Sequence, residues 1–285
     1  MDRRGGPLYH RRVRGRLAPW IIACASCNVQ LDGPGAWGTP VAVPGASSGT
    51  LEEDDVTLSG DGNEMFFAIE QPAGDKDLYT MTRAGASAAW SAPVALPFNT
   101  TETEETPRLS ADGRTLYFGS TRPGGVGSGD IWMVMRSGVG ASWGSPQLVP
   151  GVNTTGYEKW FMPCEANGTY MMVQNRNVGT STDVVEGKLG GAATVIDVLS
   201  SSAGETGTFL TADCLSIYFA STRGKTNDIY WSHRPSLQAP WPAATVVEDF
   251  GDGNDESDPW VSADGTMFAF ASNKAGTNDI YLCTR

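Results

Sequence analysis

The sequence predicts an all-β chain: a single five-bladed β-propeller of four-stranded blades, with its last blade closed by the N-terminal strand. Two recurrences and one absence carry this reading. Turns of the Asp-Gly kind stand at 61, 112, 167, 213 and 264, separated by 51, 55, 46 and 51 residues. A period near fifty is too long for a helix pair and fits one four-stranded blade. Trp-led segments begin at 37, 90 and 143, each 53 residues apart. No segment holds a helical apolar period between caps.

Composition bounds the function classes. The 285 residues are 40% hydrophobic, enough to bury a core, and their 35 Gly and 17 Pro are rich in turns without reaching low complexity. A net charge of −12 argues against a nucleic-acid binder. No run of eighteen apolar residues is present, so no ordinary spanning helix is expected.

The chain opens with six Arg in its first sixteen residues, then Leu17-Ala-Pro-Trp-Ile-Ile-Ala23 and Cys24. A basic start before a short apolar core reads as an export leader over residues 1–23. Ile21-Ile22-Ala23-Cys24 resembles the bacterial lipobox, which would make Cys24 the lipidated residue, and 24–35 a linker. The propeller is expected over 36–285. Cys24-x-x-Cys27 lacks a second ligand pair, so neither zinc nor redox chemistry is expected of it. Cys164, Cys214 and Cys283 are read as buried small hydrophobes.

Each repeat justifies its strands in turn. Trp37-Gly-Thr-Pro-Val41 supplies the closing strand, because the fifth copy stops at Arg285 without an outer strand of its own. The first copy holds Asp61-Gly62 and Asp77-Leu-Tyr79. The second is the clearest: Leu109-Ser-Ala-Asp-Gly113, then Leu116-Tyr-Phe-Gly-Ser-Thr-Arg122 and Asp130-Ile-Trp132. The third is degenerate, with Asn167-Gly168 and Asp183-Val184. The fourth carries Asp213-Cys214, Ser221-Thr-Arg223 and Asp228-Ile-Tyr230; the fifth repeats the second through Ser262-Ala-Asp-Gly265 and Asp279-Ile-Tyr281. Asp-Gly supplies the positive φ that a tight hairpin needs, and the flanking aromatic and branched residues suit strands.

The Leu-Ser-x-Asp-Gly, Leu-Tyr-Phe-x-Ser-x-Arg and Asp-Ile-Tyr signatures resemble the TolB-type, WD-like β-propeller repeat across residues 36–285. The resemblance implies an exported, periplasmic or outer-membrane lipoprotein that binds a protein or cell-envelope component without catalysis. A monomer is expected, touching membrane only through a lipid anchor.

Counting eight residues back from each turn gives one column: Glu53, Glu104, Lys159, Glu205 and Glu256. These would ring one mouth of the channel and offer a partner-binding site. The competing reading is scaffold: Arg122, Arg223 and Lys274 can reach Glu104, Glu205 and Glu256, and Arg176 can serve Glu205. The Asp column at 77, 130, 183, 228 and 279 is expected to accept backbone N–H groups. A second function is a carbohydrate-active or carbohydrate-binding propeller using funnel carboxylates, with Asp54 or Asp55, Glu105, Glu158 and Asp258 as candidates. Only His10 and His233 exist, so no zinc triad is available. No cofactor is expected; the acidic stretch 249–258 leaves calcium as the one alternative, although it lacks the EF-hand ligand order. Trp160, Trp231, Trp241 and Trp260 are expected in the core rather than on a sugar-stacking surface.

Overall fold

The structure is a computed structural model that describes residues 36–175 and 182–285. The proposed leader, Cys24, Cys27 and Arg176 lie outside the described residues. Strand β1 (Val41–Ala42) comes first. Blade 1 follows with β2 (Glu53–Leu58), β3 (Glu64–Glu70), β4 (Lys76–Thr82) and β5 (Val94–Ala95). Blade 2 holds β6 (Glu104–Leu109), β7 (Thr115–Ser120), β8 (Asp130–Met135) and β9 (Gln147–Leu148). Blade 3 holds β10 (Tyr157–Cys164), β11 (Thr169–Asn175), β12 (Asp183–Lys188) and β13 (Thr194–Val195). Blade 4 holds β14 (Glu205–Leu210), β15 (Ser216–Ser221), β16 (Asp228–His233) and β17 (Thr245–Val246). Blade 5 holds β18 (Glu256–Val261), β19 (Met267–Ser272) and β20 (Asp279–Thr284), with β1 as its fourth strand. All strand pairs are antiparallel, and the ring is five-bladed as expected. The one helical turn among the described residues is Glu248–Phe250.

Local chemistry explains the hairpins. The Ser59 hydroxyl donates to Asp61 at 2.6 Å and accepts the Glu64 N–H at 2.9 Å. Ser110 and Ser262 repeat the arrangement with Asp112 and Asp264, and Thr211 does so with Asp213. The following residue needs a left-handed backbone: Gly62, Gly113 and Gly265 have φ of 67°, 68° and 67°. The fourth hairpin puts Cys214 there instead, at φ 60°.

Cys214 is bonded to Cys164, with Cα atoms 5.8 Å apart. This corrects the reading of both as lone buried hydrophobes. The bridge ties the end of β10 to the β14–β15 turn, across the seam between blades 3 and 4. Cys283 alone of the three is a free, buried thiol.

The ring closes through backbone hydrogen bonds. Val41 pairs with Leu282 and Ala42 with Tyr281; Gly38 N–H donates to Thr284 O and Val43 N–H to Ile280 O, both at 2.8 Å. Trp37 packs edge-on to Phe268 with ring centroids 5.1 Å apart. The core lies between blades, and its largest cluster joins blade 5 to blade 1 through Phe67, Phe250, Phe268, Phe270 and Trp260.

Candidate functional site

Each inner strand breaks its register at the same place. The breaks fall between Asp54 and Thr57, Glu105 and Arg108, Lys159 and Met162, Thr206 and Phe209, and Ser257 and Trp260. A bulge bends the strand and re-aims its side chains. One residue in each bulge takes a left-handed backbone: Asp55 at 59°, Thr106 at 53°, Trp160 at 52°, Gly207 at 60° and Asp258 at 53°. Four of these are not glycine, although L side chains seldom adopt this backbone.

The bulges bring non-neighbouring blades into contact on the axis. Trp160 Nε1 from blade 3 lies 2.8 Å from Asp55 Oδ1 of blade 1 and 2.8 Å from Asp258 Oδ1 of blade 5. Ser257 donates to Asp258 Oδ2 at 2.7 Å. Arg108, 1% exposed, is buried within electrostatic reach of both carboxyls. Its guanidinium donates to Val56 O at 3.1 Å, Pro107 O at 2.9 Å and Thr208 O at 3.4 Å. A side chain from blade 2 therefore fastens blades 1 and 4.

Asp55 and Asp258 hydrogen-bond to one another and have been driven apart in acidity. Burial, then the Asp55 charge, pushes Asp258 up to about 7. Burial would raise Asp55 too, but Lys76, the Asp258 hydrogen bond and Arg108 outweigh it and hold the group below the usual carboxylate range. The pair shares one proton near neutrality. Above it, Lys76 donates to Asp54 and stands 3.9 Å from Asp55. Burial opposes the Lys76 charge, yet Asp54 and Asp55 together lift its pKa. Glu105 accepts the Tyr157 hydroxyl and lies 2.8 Å from Lys159 Nζ. Thus Asp54, Asp55, Glu105 and Asp258 converge at the axis, whereas Glu158 does not.

The five-residue column behaves differently. Lys159 pairs across the sheet with Val173 and matches Glu105, which pairs with Gly119. Glu158, paired with Gln174, is the residue equivalent to Glu104, which pairs with Ser120. The third hairpin is one residue longer on its inner strand, so counting back from Asn167 misses by one. A Ser/Thr-x-x-x-Glu spacing (Thr100 to Glu104, Thr154 to Glu158, Ser201 to Glu205) is the signal that finds it. All five Glu are 0–1% exposed.

Their partners are internal. Glu104 takes the Thr100 hydroxyl at 2.8 Å, the Ser120 hydroxyl at 2.8 Å and Arg122 at 2.9 Å. Glu205 takes Ser201 at 2.6 Å and Arg223 at 2.8 Å; Glu158 takes Gln174 at 2.7 Å. Glu53 accepts the Ser48 N–H at 3.2 Å, and burial raises its pKa. Burial first and Asp252 next push Glu256 up to about 8. The expected Lys274 partner instead lies 3.8 Å from the centroid of Tyr281. In the Asp column, Asp130 accepts the Val126 N–H at 3.0 Å and Asp279 the Gly49 N–H at 3.2 Å.

Two hollows adjoin the mouth. A groove of about 1000 Å³ runs outward past Tyr157, Lys159, Asn153, Gln174 and Gly151. A polar hollow of about 490 Å³ is lined by Thr206, Ser257, Asn227, Asp255 and Asn273. Thr182 borders both. Trp160, Trp241 and Trp260 are buried and Trp231 half-buried. No group of three His, Cys, Asp or Glu side chains stands ready for a metal among the described residues.

No family model matches the chain, and no curated protein matches it. Solved structures do. The endo-arabinase of Bacteroides thetaiotaomicron superposes with a TM-score of 0.61 at 8% identity, covering 86% of this chain and 97% of that one. The family 117 glycoside hydrolase Zg3597 of Zobellia galactanivorans gives 0.56 at 13% identity, covering 86% and 89%. A putative TolB from Agrobacterium tumefaciens gives 0.52 at 17% identity, covering 81% and 76%. At such identities the likeness shows a shared propeller fold.

Proposed function

We propose that this chain is a non-catalytic, exported scaffold that binds a protein or cell-envelope component across the face around the channel mouth. One observation carries the reading: each of the axial acids has an internal partner. Asp54 is paired with Lys76, Glu105 with Tyr157 and Lys159, and the Asp55–Asp258 pair with Trp160. A glycosidase needs two carboxyls flanking an open sugar subsite. The grooves beside the mouth offer hydroxyl, amide and lysine side chains to a partner instead. The likeness to TolB supports this reading, and the Cys164–Cys214 bridge supports an oxidising compartment. A pull-down from envelope extracts tests it, with Lys159→Glu expected to weaken capture.

A second reading has its own support. Asp55 and Asp258 have their acidities pushed apart, as an acid and a base require, and glycoside hydrolases share the fold. Assay on chromogenic glycosides separates the two. Turnover abolished by Asp258→Asn would overturn the scaffold reading.

A further inference from the structure

Blade 5 departs from blades 2, 3 and 4 at one buried carboxylate. In blades 2, 3 and 4 the residue four positions before the recurring Glu is Thr100, Thr154 or Ser201, whose hydroxyl donates to that Glu at 2.8, 2.5 and 2.6 Å. Backbone N–H groups of the same residues add 2.7, 3.3 and 3.0 Å contacts. Blade 5 has Asp252 in that position, so a carboxylate faces Glu256 where a donor is needed. The cation is missing as well. Arg122 and Arg223 reach their Glu in blades 2 and 4, whereas Lys274 is turned onto the Tyr281 ring.

Besides Asp252, with which it shares a carboxyl–carboxyl hydrogen bond, Glu256 has one direct partner, the Ser272 hydroxyl at 3.3 Å on Oε1. Its Oε2 receives no N–H or hydroxyl donor, and the residue is only 1% exposed. A buried carboxylate oxygen with no donor is costly, and the equivalent Glu of blades 2, 3 and 4 are better served. Asp252 is exposed; its Oδ1 receives the Asn254 N–H at 3.1 Å and the Asn254 amide at 2.6 Å. A Cβ placed on Gly253 would meet nothing within 4 Å, so the loop is uncrowded beside Asp252.

We propose that blade 5 holds a calcium-class divalent cation between the carboxylates of Asp252 and Glu256. The cation does for the fifth blade what the hydroxyl and Arg do for the second and fourth. All the donors offered are oxygens, which suits a hard cation, and water completes the shell on the solvent side. A flexible, partly hydrated shell fits Ca²⁺ better than Mg²⁺, which demands near-ideal octahedral geometry. With two carboxylates and an exposed loop, the site falls in the weak class, with a dissociation constant of about 10⁻⁴–10⁻³ M. Its effect is to pin the loop before β18 against the blade that closes the ring. The site is independent of the partner-binding reading.

Thermal unfolding of the full chain tests the proposal, in EDTA against about 5 mM CaCl₂ or MgCl₂ at matched ionic strength. Calcium is expected to raise Tm by about 2–4 °C and magnesium by less. Asp252→Ser restores the sibling donor on an exposed loop; it is expected to abolish the calcium shift and to melt in EDTA at or above the wild-type temperature. Glu256→Gln is expected to lose the shift too. A wild-type Tm unmoved by calcium, an equal response to magnesium, or an Asp252→Ser variant that keeps the shift would each overturn the site.

Discussion

The Arg285 guanidinium lies 4.5 Å above the ring of Trp37, joining the two ends of the propeller sequence. The same stack recurs within single blades: Arg83 on Trp90 at 4.5 Å, Arg136 on Trp143 at 4.4 Å and Arg234 on Trp241 at 4.3 Å. In each case the Arg also donates to the hairpin carbonyl of its own blade, as Arg285 does to Gly265 O at 2.6 Å. The closing blade is therefore built to the same plan as the others, with its outer strand supplied from the opposite end of the repeat array. That strand covers an edge that would otherwise be open.

Trp37→Ala is expected to cost about 3–5 kcal/mol, because it empties a buried position and removes the closing stack. Trp90→Ala, at a half-buried position in a blade already continuous in sequence, should cost less. Urea unfolding of the two variants side by side reads the difference. Equal losses would show that closure does not depend on Trp37.

Arg108 binds three blades by their carbonyls and balances the Asp55–Asp258 pair. Arg108→Ala is expected to lose about 3–5 kcal/mol, since it leaves buried acceptors without a donor. Arg108→Met keeps the volume and should still be destabilising, which separates lost hydrogen bonds from lost packing. Equilibrium unfolding is again the measurement.

Asp258 gives the fold a pH dependence of definite sign. Folded, it keeps its proton to about pH 7, while an ordinary Asp loses it at 3.8. The folded state therefore binds more protons between these limits. The stability from this group is complete below about pH 4 and is lost as pH rises through 7. Asp55, held below its usual range, acts oppositely, and only at more acid pH. Wild-type Tm should fall between about pH 5 and pH 8. Asp258→Asn should flatten that slope, and an unchanged slope would assign the effect elsewhere.

The disulfide joins two blades across 50 residues of sequence. Removing it with Cys164→Ala/Cys214→Ala should cost about 2–4 kcal/mol. Peptide mapping without reductant should recover Cys164 and Cys214 linked. Cys283, buried and pushed up to about 12 by burial and then by Asp249, should resist thiol reagents until the chain unfolds. Rapid labelling of native Cys283 would contradict its placement.

What could be read directly from the amino acids was whatever repeats locally. Ser59 to Asp61 and its equivalents span two residues, so their spacing announced the hairpins, the period and hence five blades. The Trp37, Trp90 and Trp143 spacing likewise announced the closing strand. The channel was not legible in the same way. Asp54, Asp55, Glu105 and Asp258 stood out as acids, but nothing local said that a blade 3 indole would bridge blades 1 and 5. The Glu158 register was within reach of the Ser/Thr-x-x-x-Glu spacing, whereas the roles of Arg108 and the Cys164–Cys214 bridge could not be read along the chain. They depend on closing the ring, which brings bulged inner strands of non-adjacent blades within hydrogen-bonding distance. Local periodicity determines each sheet; only the circular packing of five sheets decides which buried charges meet on the axis.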